Sequence, residues 1–458
     1  MADVAQSLPK ALNDLGHDVR LIMPAYQQVK EKISQLPCVA KLSILNLEIA
    51  ILETTLPETN IPLLLVDCPT LFERAGNPYL NEQGQPWPDN AQRFALFCRA
   101  IVAVALNKSQ LNWKPNILHC NDWHTGLACP LLHAEKDRPK TIFTIHNLAY
   151  QGLFSYETFN DLQLPEELWS YERIEYNGQL SFIKAGIVYA DHVNTVSPTY
   201  AKEIQTPEYG SGLEQLLQYY SSKLSGIING INEQEWNPES DKKIFSNYST
   251  KNIQNKLNNK TSLQKELGLP VNKNIPLFSV ISRIAEQKGL DLVISILPQL
   301  VLKKAQIVIL GSGDKLLETE LTSAANKYPD NISVKIGYDE VLAHNITAAA
   351  DFFLMPSRYE PCGLNQMYSQ KYGTIPIVRH TGGLADTVIN YPAIDDKTNS
   401  TGISFNGDNT EDFLEAINVA FNLFSNKDVF SKIKLNAMMQ NFSWENSAVK
   451  YMDLYLQH

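Results

Sequence analysis

Short apolar runs alternate along the chain with longer amphipathic stretches, and most of the runs end in polar or glycine-containing turns. This alternation predicts parallel β-strands joined by helices. Two successive sets of strands of this kind indicate two doubly wound α/β domains that face each other across a cleft. The predicted strands are "VRLIMPA", "IPLLLVDCP", "NILHCND", "KTIFTIH" and "HVNTVSP" in the first half, then "IPLFSVISR", "AQIVILGSGD", "ISVKIGY", "DFFLMPS", "GTIPIVRH" and "GISFN" in the second.

Helical periodicity is clearest in three stretches, residues 90–107, 289–303 and 445–457, where apolar positions recur every three to four residues. Between the two halves, residues 246–269 are polar and rich in asparagine. A segment of this composition is expected to be a surface excursion without a core of its own.

Composition narrows the class of protein. The chain has 458 residues, 44% hydrophobic and 19% charged, which is ordinary for a globular protein and enough for two large domains. Its net charge of −10 argues against a nucleic-acid or anionic-membrane partner, because such binders need a basic surface. No apolar run approaches the ~18 residues of a membrane span. The six cysteines are scattered without a CxxC pair, so reduced thiols and a cytoplasmic location are expected.

Two turns of the first half carry unusual polar side chains. "HCNDWHTGL" (119–127) ends a predicted strand with two histidines and Asp122, and "IHNLAYQG" (145–152), which contains His146, follows the next strand. Each histidine taken alone also fits a hydrogen-bonded structural role. The sequence has no HExxH motif and no paired Cys/His spacing, so no metal site is expected.

The second half contains three turns that suit phosphate or sugar. Arg283 follows a strand, and Lys288 lies five residues later at the start of a predicted helix; this pair suits phosphate oxygens, although solvated surface cations are the alternative. Glu360, in "PSRYEPCGLNQ", can accept hydrogen bonds from sugar hydroxyls or stabilise a developing positive charge. The alternative is a glutamate at a helix start that only interacts favourably with the helix dipole. Gly382 and Gly383 separate a strand from a helix, as in loops whose amides cradle anions.

With these motifs in place, the chain resembles the bacterial glycogen synthases, a family of retaining glucosyltransferases that also includes the plant starch synthases. The most diagnostic match is "EPCGLNQ" followed by "TGGLADTV". Further matches fall in family order: "LPKALNDLGHDVRLIMPAY", "GNPYL", "DNAQRFALFCRA", "HCNDWHTGL", "TIHNLAYQG", "LSGIINGI" and "SRIAEQKGLDL". The resemblance implies the GT-B fold, ADP-glucose as donor and the non-reducing end of glycogen or another α-1,4-glucan as acceptor. It also implies that no metal or other cofactor is required.

The resemblance further implies roles for the second half's residues. Arg283 and Lys288 would bind the donor diphosphate, Glu360 would contact the transferred glucose at the catalytic centre, and Tyr338 would stack on adenine. Tyr368 occupies the place where many related retaining transferases have a second glutamate, so a two-glutamate mechanism is not implied. The remaining donor-side residues implied are Cys362, Gly363, Leu364, Thr381, Gly382 and Gly383.

On the same basis Asp122 and His146 would line the glucose side of the cleft as catalytic residues, and Tyr79 and Asn229 would contact the acceptor or the sugar.

Domain boundaries also follow from the resemblance. Residues 1–224 with a C-terminal helix at 441–458 are expected to form the acceptor-side domain, and residues 225–440 the domain that binds the donor nucleotide. In the family, a strand and a lysine- and glycine-containing loop precede "ADV", whereas this sequence reads "MADVA" at its start. We therefore expect the first strand of the N-terminal domain to be missing from the sequence given. The alternatives are a related transferase that uses UDP-glucose and a truncated, inactive glucan-binding homologue.

Overall fold

A computed structural model describes residues 2–33, 35–109, 111–391 and 399–456. The chain divides into two compact units. The first unit comprises Met1–Val196, Ala201–Ile227 and Trp444–His458, and the second comprises Ser197–Tyr200 and Ile228–Ser443. Within the part of the chain that the structure describes, every helix is too short or too polar to cross a membrane.

The first unit contains two four-stranded sheets and one small three-stranded sheet. One sheet has the order β1-β4-β3-β2 and another the order β11-β10-β6-β5, in which all neighbours are parallel. The small sheet has the order β7-β9-β8. The strands are β1 (Leu21–Pro24), β2 (Cys38–Ile44), β3 (Leu47–Thr55), β4 (Pro62–Asp67), β5 (Ile117–Asn121), β6 (Lys140–Ile145), β7 (Leu153–Phe154), β8 (Glu175–Tyr176), β9 (Gln179–Ser181), β10 (His192–Thr195) and β11 (Leu224–Gly226).

Helices lie between these strands, and a C-terminal helix, Trp444–Leu456, returns to the first unit. The apolar face of α1, which includes Val4 and Leu8, packs against Tyr451 and Leu454 of the C-terminal helix in one buried cluster. The helices are α1 (Ala2–Asp14), α2 (Gln27–Lys30), α3 (Pro69–Phe72), α4 (Asn90–Ala105), α5 (Ala128–His133), α6 (Tyr156–Asp161), α7 (Phe182–Tyr189), α8 (Pro198–Glu203), whose first residues belong to the second unit, and α9 (Glu214–Tyr219).

The second unit is built on one six-stranded parallel sheet with the order β14-β13-β12-β15-β16-β17. This is the doubly wound order in which the chain first runs outward from β12 on one side and then from β15 on the other. The strands are β12 (Leu277–Ile281), β13 (Gln306–Gly311), β14 (Ile332–Ile336), β15 (Phe352–Met355), β16 (Ile375–Arg379) and β17 (Ile403–Phe405). The helices are α10 (Lys256–Glu266), α11 (Leu290–Leu302), α12 (Lys315–Lys327), α13 (Glu340–Ala349), α14 (Asn365–Lys371), α15 (Gly382–Thr387), α16 (Thr410–Ser425) and α17 (Lys427–Met438).

The predicted strands and the three strongly periodic helices are confirmed, but the expectation of purely parallel sheets is wrong for the first sheet. There β3 runs antiparallel to both of its neighbours, β2 and β4. Leu45 and Asn46 join β2 to β3 with φ values of 51° and 63°, the left-handed conformation that two-residue hairpin turns require. A tight turn of this kind replaces the helical crossover that a parallel pair would need.

The asparagine-rich segment 246–269 is also not the surface excursion expected from its composition. It contains α10, whose Asn259, Lys260, Leu263 and Gln264 are buried. Lys260 Nζ lies 2.6 Å from Asp351 Oδ2, inside the second unit. The buried face of α10 is largely made of polar side chains that have buried partners. The helix therefore lacks the pattern of apolar residues from which it could have been predicted.

Candidate active site

The candidate donor site lies where β12 and β15 run side by side, which is the switch point of the second unit's sheet. Ligands of doubly wound sheets bind beyond the carboxyl ends of the strands at this point. Arg283 follows β12 and Glu360 follows β15. A pocket of about 240 Å³ opens here, and its lining includes Ser282, Arg283, Lys288, Ser357 and Asn365.

Lys288 and Glu360 form an ion pair at this pocket. Lys288 Nζ lies 2.5 Å from Glu360 Oε2, and the Ser357 hydroxyl donates to the same oxygen at 3.2 Å. The side chains of Lys288 and Glu360 are only 17% and 8% exposed. Arg283, by contrast, is exposed and donates from Nη2 to Gln287 Oε1 at 3.2 Å. The two cations predicted for phosphate therefore differ, since one is already paired with the predicted catalytic carboxylate.

Two close contacts fix the turns that carry this pair. Arg358 Nη1 and Nη2 donate to the two carboxylate oxygens of Asp291 at 2.8 and 2.7 Å, and its backbone N–H donates to Gln287 O at 2.9 Å. Gly289 has a φ of 67°, and a Cβ atom there would lie 2.1 Å from Pro356 O. Only glycine permits this approach, so residue 289 is required to bring Lys288 beside the turn that carries Glu360.

Gly382 and Gly383 form the first turn of α15 instead of a loop before it. A Cβ atom on Gly382 would lie 2.0 Å from Glu360 O, and one on Gly383 would lie 2.2 Å from Cys362 O. The Gly383 N–H donates to Glu360 O at 3.1 Å. The glycine pair, which follows the helix's N-cap residue Thr381, thus lets α15 pack directly on the segment that holds Glu360.

Asn229 and Cys362 are neighbours in the second unit. A hydrogen bond from the Asn229 backbone reaches the buried Cys362 thiol, whose pKa burial raises to about 12, so the thiol stays protonated. Asn229 is 6% exposed. Among the described residues its Oδ1 finds no hydrogen-bond partner. A buried amide oxygen without a partner is costly unless a ligand or water completes it.

Gly363 and Leu364 separate this pair from α14. Gly363 has a φ of 69°, and a Cβ atom there would lie 2.5 Å from Gln366 Oε1, so the turn after Cys362 also needs glycine. Leu364 is the residue just before α14 begins at Asn365.

Tyr338 projects from the turn between β14 and α13 and is 86% exposed. It follows Gly337, whose φ is 128°, and precedes Asp339, whose side chain accepts from Leu342 N at 2.9 Å and caps α13. The backbone on both sides of Tyr338 is therefore fixed while its ring stays open to solvent.

Tyr368 is buried against aromatic rings. Its ring stacks on Trp236 with centroids 4.0 Å apart, and the other face of Trp236 stacks on His344 at 3.8 Å. The position at which related enzymes carry a second glutamate is thus part of an aromatic stack here.

One cluster of the second unit has the composition of a metal site. The possible ligand atoms of Glu235, Glu340 and His344 lie within 4.8 Å of one another. Lys243 pairs with both carboxylates and lies 3.3 Å from Glu235 Oε1. A lysine ammonium therefore already supplies the positive charge that these carboxylates need.

In the first unit, Asp122 directly follows β5 in a backbone conformation that is normally restricted to glycine. Its φ is 59° and its ψ is 177°. Its Oδ1 accepts from His146 N at 2.7 Å and from Asn147 N at 3.4 Å. Such strain costs of order 1–3 kcal/mol and is typical of functional sites. Burial raises the pKa of Asp122 to about 6, although the two backbone bonds oppose the shift.

Tyr79 packs in an aromatic cluster of the first unit. Its ring centroid lies 6.0 Å from Phe94, 6.2 Å from Trp123 and 6.0 Å from His124. Burial, assisted by the charge of Asp122, raises the pKa of Tyr79 to about 12. Tyr79 is therefore a neutral phenol at physiological pH.

The residues that hold Tyr79 in place were not predicted from the sequence. Arg93 is 1% exposed and donates from Nε to Leu71 O at 2.8 Å and from Nη1 to Pro78 O at 3.0 Å. Asn90 Nδ2 donates to Tyr79 O at 3.1 Å. The only feature of the sequence that indicates this arrangement is that two polar residues, Asn90 and Arg93, lie on the otherwise apolar face of α4.

A second, wider pocket of about 480 Å³ lies in the first unit. Gly152 shapes it, because a Cβ atom there would lie 2.3 Å from Trp123 Cε3. An aromatic wall of this kind suits the apolar face of a sugar ring. The pocket is lined by Trp123, Ala149, Tyr150, Gln151, Gly152, Leu153, Tyr176 and Ser211.

Two protein-family models match the chain. Residues 1–219 match the starch synthase catalytic domain, and residues 259–432 match the glycosyl transferases group 1 family. The chain is 47% identical over 457 residues to a glycogen synthase from Cellvibrio japonicus, covering 99% of this chain and 95% of that protein. It is 49% identical over 462 residues to glycogen synthase 1 from Methylococcus capsulatus, covering 99% and 92%. The chain belongs to the glycogen and starch synthase family.

Solved structures agree with this membership. The catalytic domain of starch synthase IV from Arabidopsis thaliana, bound to ADP and acarbose, matches with a TM-score of 0.89 and 31% identity, covering 99% of this chain and 95% of that one. A sucrose-phosphate synthase from Thermosynechococcus elongatus shares the fold, with a TM-score of 0.60 at 18% identity over 98% of this chain and 91% of that one. The protein is a glycosyltransferase with the GT-B fold.

For this family member, Asp122→Asn is expected to raise the melting temperature at pH 8 and to lower activity. The folded-state pKa of Asp122, about 6, lies above the ordinary value of ~3.9, so the ionised carboxylate destabilises the fold above pH 6. This cost fades as the pH falls from 6 towards 4, and asparagine never incurs it. Calorimetry should therefore show a gain at pH 8 that shrinks by pH 5. Asp137→Asn, at a side chain that is 97% exposed, is the control. A lower melting temperature for Asp122→Asn than for the wild type at pH 8 would contradict the conclusion that the ionised Asp122 carboxylate destabilises the fold.

Proposed function

We propose that the protein transfers glucose from ADP-glucose to the non-reducing end of an α-1,4-glucan such as glycogen, with retention of the anomeric configuration. The observation that carries the proposal is the ion pair between the half-buried Lys288 and the buried Glu360, beside Arg283, at the switch point of the second unit's sheet. The family membership and the starch synthase structure bound to ADP support the nucleotide. All six cysteines are free thiols, which supports a cytoplasmic location.

In this proposal the second unit binds the donor. Arg283 and Lys288 stabilise the negative charge that develops on the diphosphate as the bond between C1 and the phosphate oxygen breaks. Glu360, held through Oε2 by Lys288 and Ser357, contacts the glucose that is transferred. Tyr338 offers its exposed ring to adenine, and Asn229 Oδ1 finds its missing donor on a sugar hydroxyl. Cys362, Gly363, Leu364, Thr381, Gly382 and Gly383 shape the remaining donor contacts.

Retention follows without a second carboxylate. The acceptor hydroxyl attacks C1 on the face that the diphosphate leaves, and its proton passes to the departing phosphate oxygen. The new bond joins C1 to the acceptor oxygen, and ADP leaves with the proton. Tyr368, stacked on Trp236, cannot act as a carboxylate nucleophile, which favours this route over a two-carboxylate mechanism.

The first unit supplies the glucan contacts and part of the sugar contacts. The pocket beside Trp123 offers aromatic surface for glucan rings, and Tyr79 adds a neutral hydroxyl. Asp122 and His146 contact sugar hydroxyls as catalytic residues, because both are fixed by hydrogen bonds at strand ends.

A transfer assay tests the donor. Glucose from labelled ADP-glucose and UDP-glucose is followed into glycogen by the full chain, with Arg283→Ala as the inactive control. ADP-glucose is expected to give the higher kcat/KM. Equal or better use of UDP-glucose would overturn the choice of donor. Binding of glucan without transfer from either donor would favour a non-catalytic homologue.

A further inference from the structure

Asn121 holds the imidazole of His146 at the ends of two neighbouring strands. Asn121 is the last residue of β5, His146 follows β6, and the two strands are paired in parallel. His146 Nε2 lies 2.9 Å from Asn121 Oδ1. The amide of Asn121 is itself oriented, because its Nδ2 donates to His119 O at 3.4 Å. The oxygen of this amide, and not its nitrogen, therefore faces the imidazole.

This contact decides where the ring proton lies. An amide oxygen only accepts hydrogen bonds, so Nε2 must carry the hydrogen. A neutral imidazole has one N–H, which leaves Nδ1 with a lone pair. Among the described residues, no side-chain or backbone group bonds to His146 Nδ1. An acceptor nitrogen just after the end of β6 is thus left for a ligand.

The surroundings of His146 keep the ring neutral. Burial holds the pKa of His146 well below its usual range, and the neighbouring rings of His119 and His124 lower it further. The Asp122 carboxylate faces the backbone N–H of His146, at 2.7 Å, instead of its ring. His119 offers a contrast, since its two ring nitrogens face the hydroxyls of Tyr455 and Thr144, which can each donate or accept. Unlike these hydroxyls, the amide oxygen of Asn121 imposes one tautomer on its histidine.

We propose that Asn121 is a positioning residue that fixes His146 as the Nε2–H tautomer, so that Nδ1 accepts a hydrogen bond from a hydroxyl of the bound sugar. The role of the sugar rests on the proposed function, whereas the tautomer does not. His146 then selects a hydroxyl that donates, and it takes no part as a proton donor in the transfer. The Nδ1 acceptor disappears whenever the ring becomes protonated.

Nitrogen NMR of the full chain labelled with ¹⁵N-histidine tests the tautomer without substrate. His146→Gln identifies the resonances of residue 146. The wild type is expected to show an unprotonated Nδ1 and a protonated Nε2. Asn121→Leu should shift the ring towards a mixture of tautomers, while Asn116→Leu, an exposed position just before β5, should change nothing. A protonated Nδ1 in the wild type, or an unchanged tautomer in Asn121→Leu, would overturn the proposal.

Kinetics then test the sugar contact. Asn121→Leu should lower kcat/KM by about tenfold at every pH. Asn121→Asp keeps an acceptor for Nε2–H but stabilises the imidazolium, so its activity should approach wild type at pH 8.5 and fall steeply towards pH 6. Identical pH profiles for the wild type and Asn121→Asp would refute the acceptor role. If the wild type transfers no glucose from any donor, the proposed function fails while the NMR result stands.

Discussion

Lys288→Met is expected to lower kcat for glucosyl transfer by about 100-fold, because one side chain holds Glu360 and, in the proposed function, also binds the donor phosphate. Glu360→Gln should produce a loss of similar size. If the two residues act as one unit, the double variant should be no worse than the more damaged single variant. Steady-state kinetics with ADP-glucose measure all three.

Melting temperatures of the same variants distinguish a catalytic role of Lys288 and Glu360 from a purely structural one. Lys288→Met leaves the carboxylate of Glu360, 8% exposed, without its cation, so the melting temperature should fall. The double variant removes both charges and should recover most of that loss while staying inactive. Lys315→Met is the matched control, since Lys315 pairs with Glu318 on the same unit but is 84% exposed. Independent losses that multiply in the double variant, or wild-type turnover in Lys288→Met, would contradict the shared role.

Tyr338→Ala is expected to raise KM for ADP-glucose by about tenfold or more and to leave kcat and the melting temperature unchanged. Stacking on a base is worth ~1–3 kcal/mol, and the ring, 86% exposed, contributes little to the folded protein. Tyr338→Phe keeps the stacking surface and should behave as wild type. Leu302→Ala, at a residue of the same unit that is 83% exposed, controls for the loss of surface. An unchanged KM in Tyr338→Ala would remove Tyr338 from the nucleotide site.

Much of the fold could be predicted because strands buried on both faces leave a continuous apolar signal, as in β13 with its run of buried residues. The hairpin between β2 and β3 could not, because Leu45 and Asn46 lack the glycine that usually marks such a turn. Helix α10 was missed for a related reason. Its buried face includes Lys260, whose partner Asp351 is 91 residues away in sequence.

The candidate site, like the fold, could be predicted only in part. The positions of Arg283 and Glu360 after strands, and of Lys288 at the start of a helix, could be predicted from the pattern of strands and helices alone. The pairing of Lys288 with Glu360 could not, because it depends on β12 and β15 being neighbours and on Gly289 permitting the close approach.

The supporting residues were harder still to predict. Arg358, Arg93 and Asn121 act by holding backbone or side chains from other segments. Their partners are fixed only by the folded topology, so the local sequence carries no pattern for them.

Proton NMR of one reaction mixture tests the proposed transfer most directly. The full chain is mixed with ADP-glucose and a short α-1,4-glucan, and the anomeric protons are followed with time. We predict that a new α-1,4 linkage appears at the non-reducing end in step with an equal amount of ADP. A β-linked product would contradict the proposed function. So would the release of ADP together with free glucose while the glucan is not lengthened.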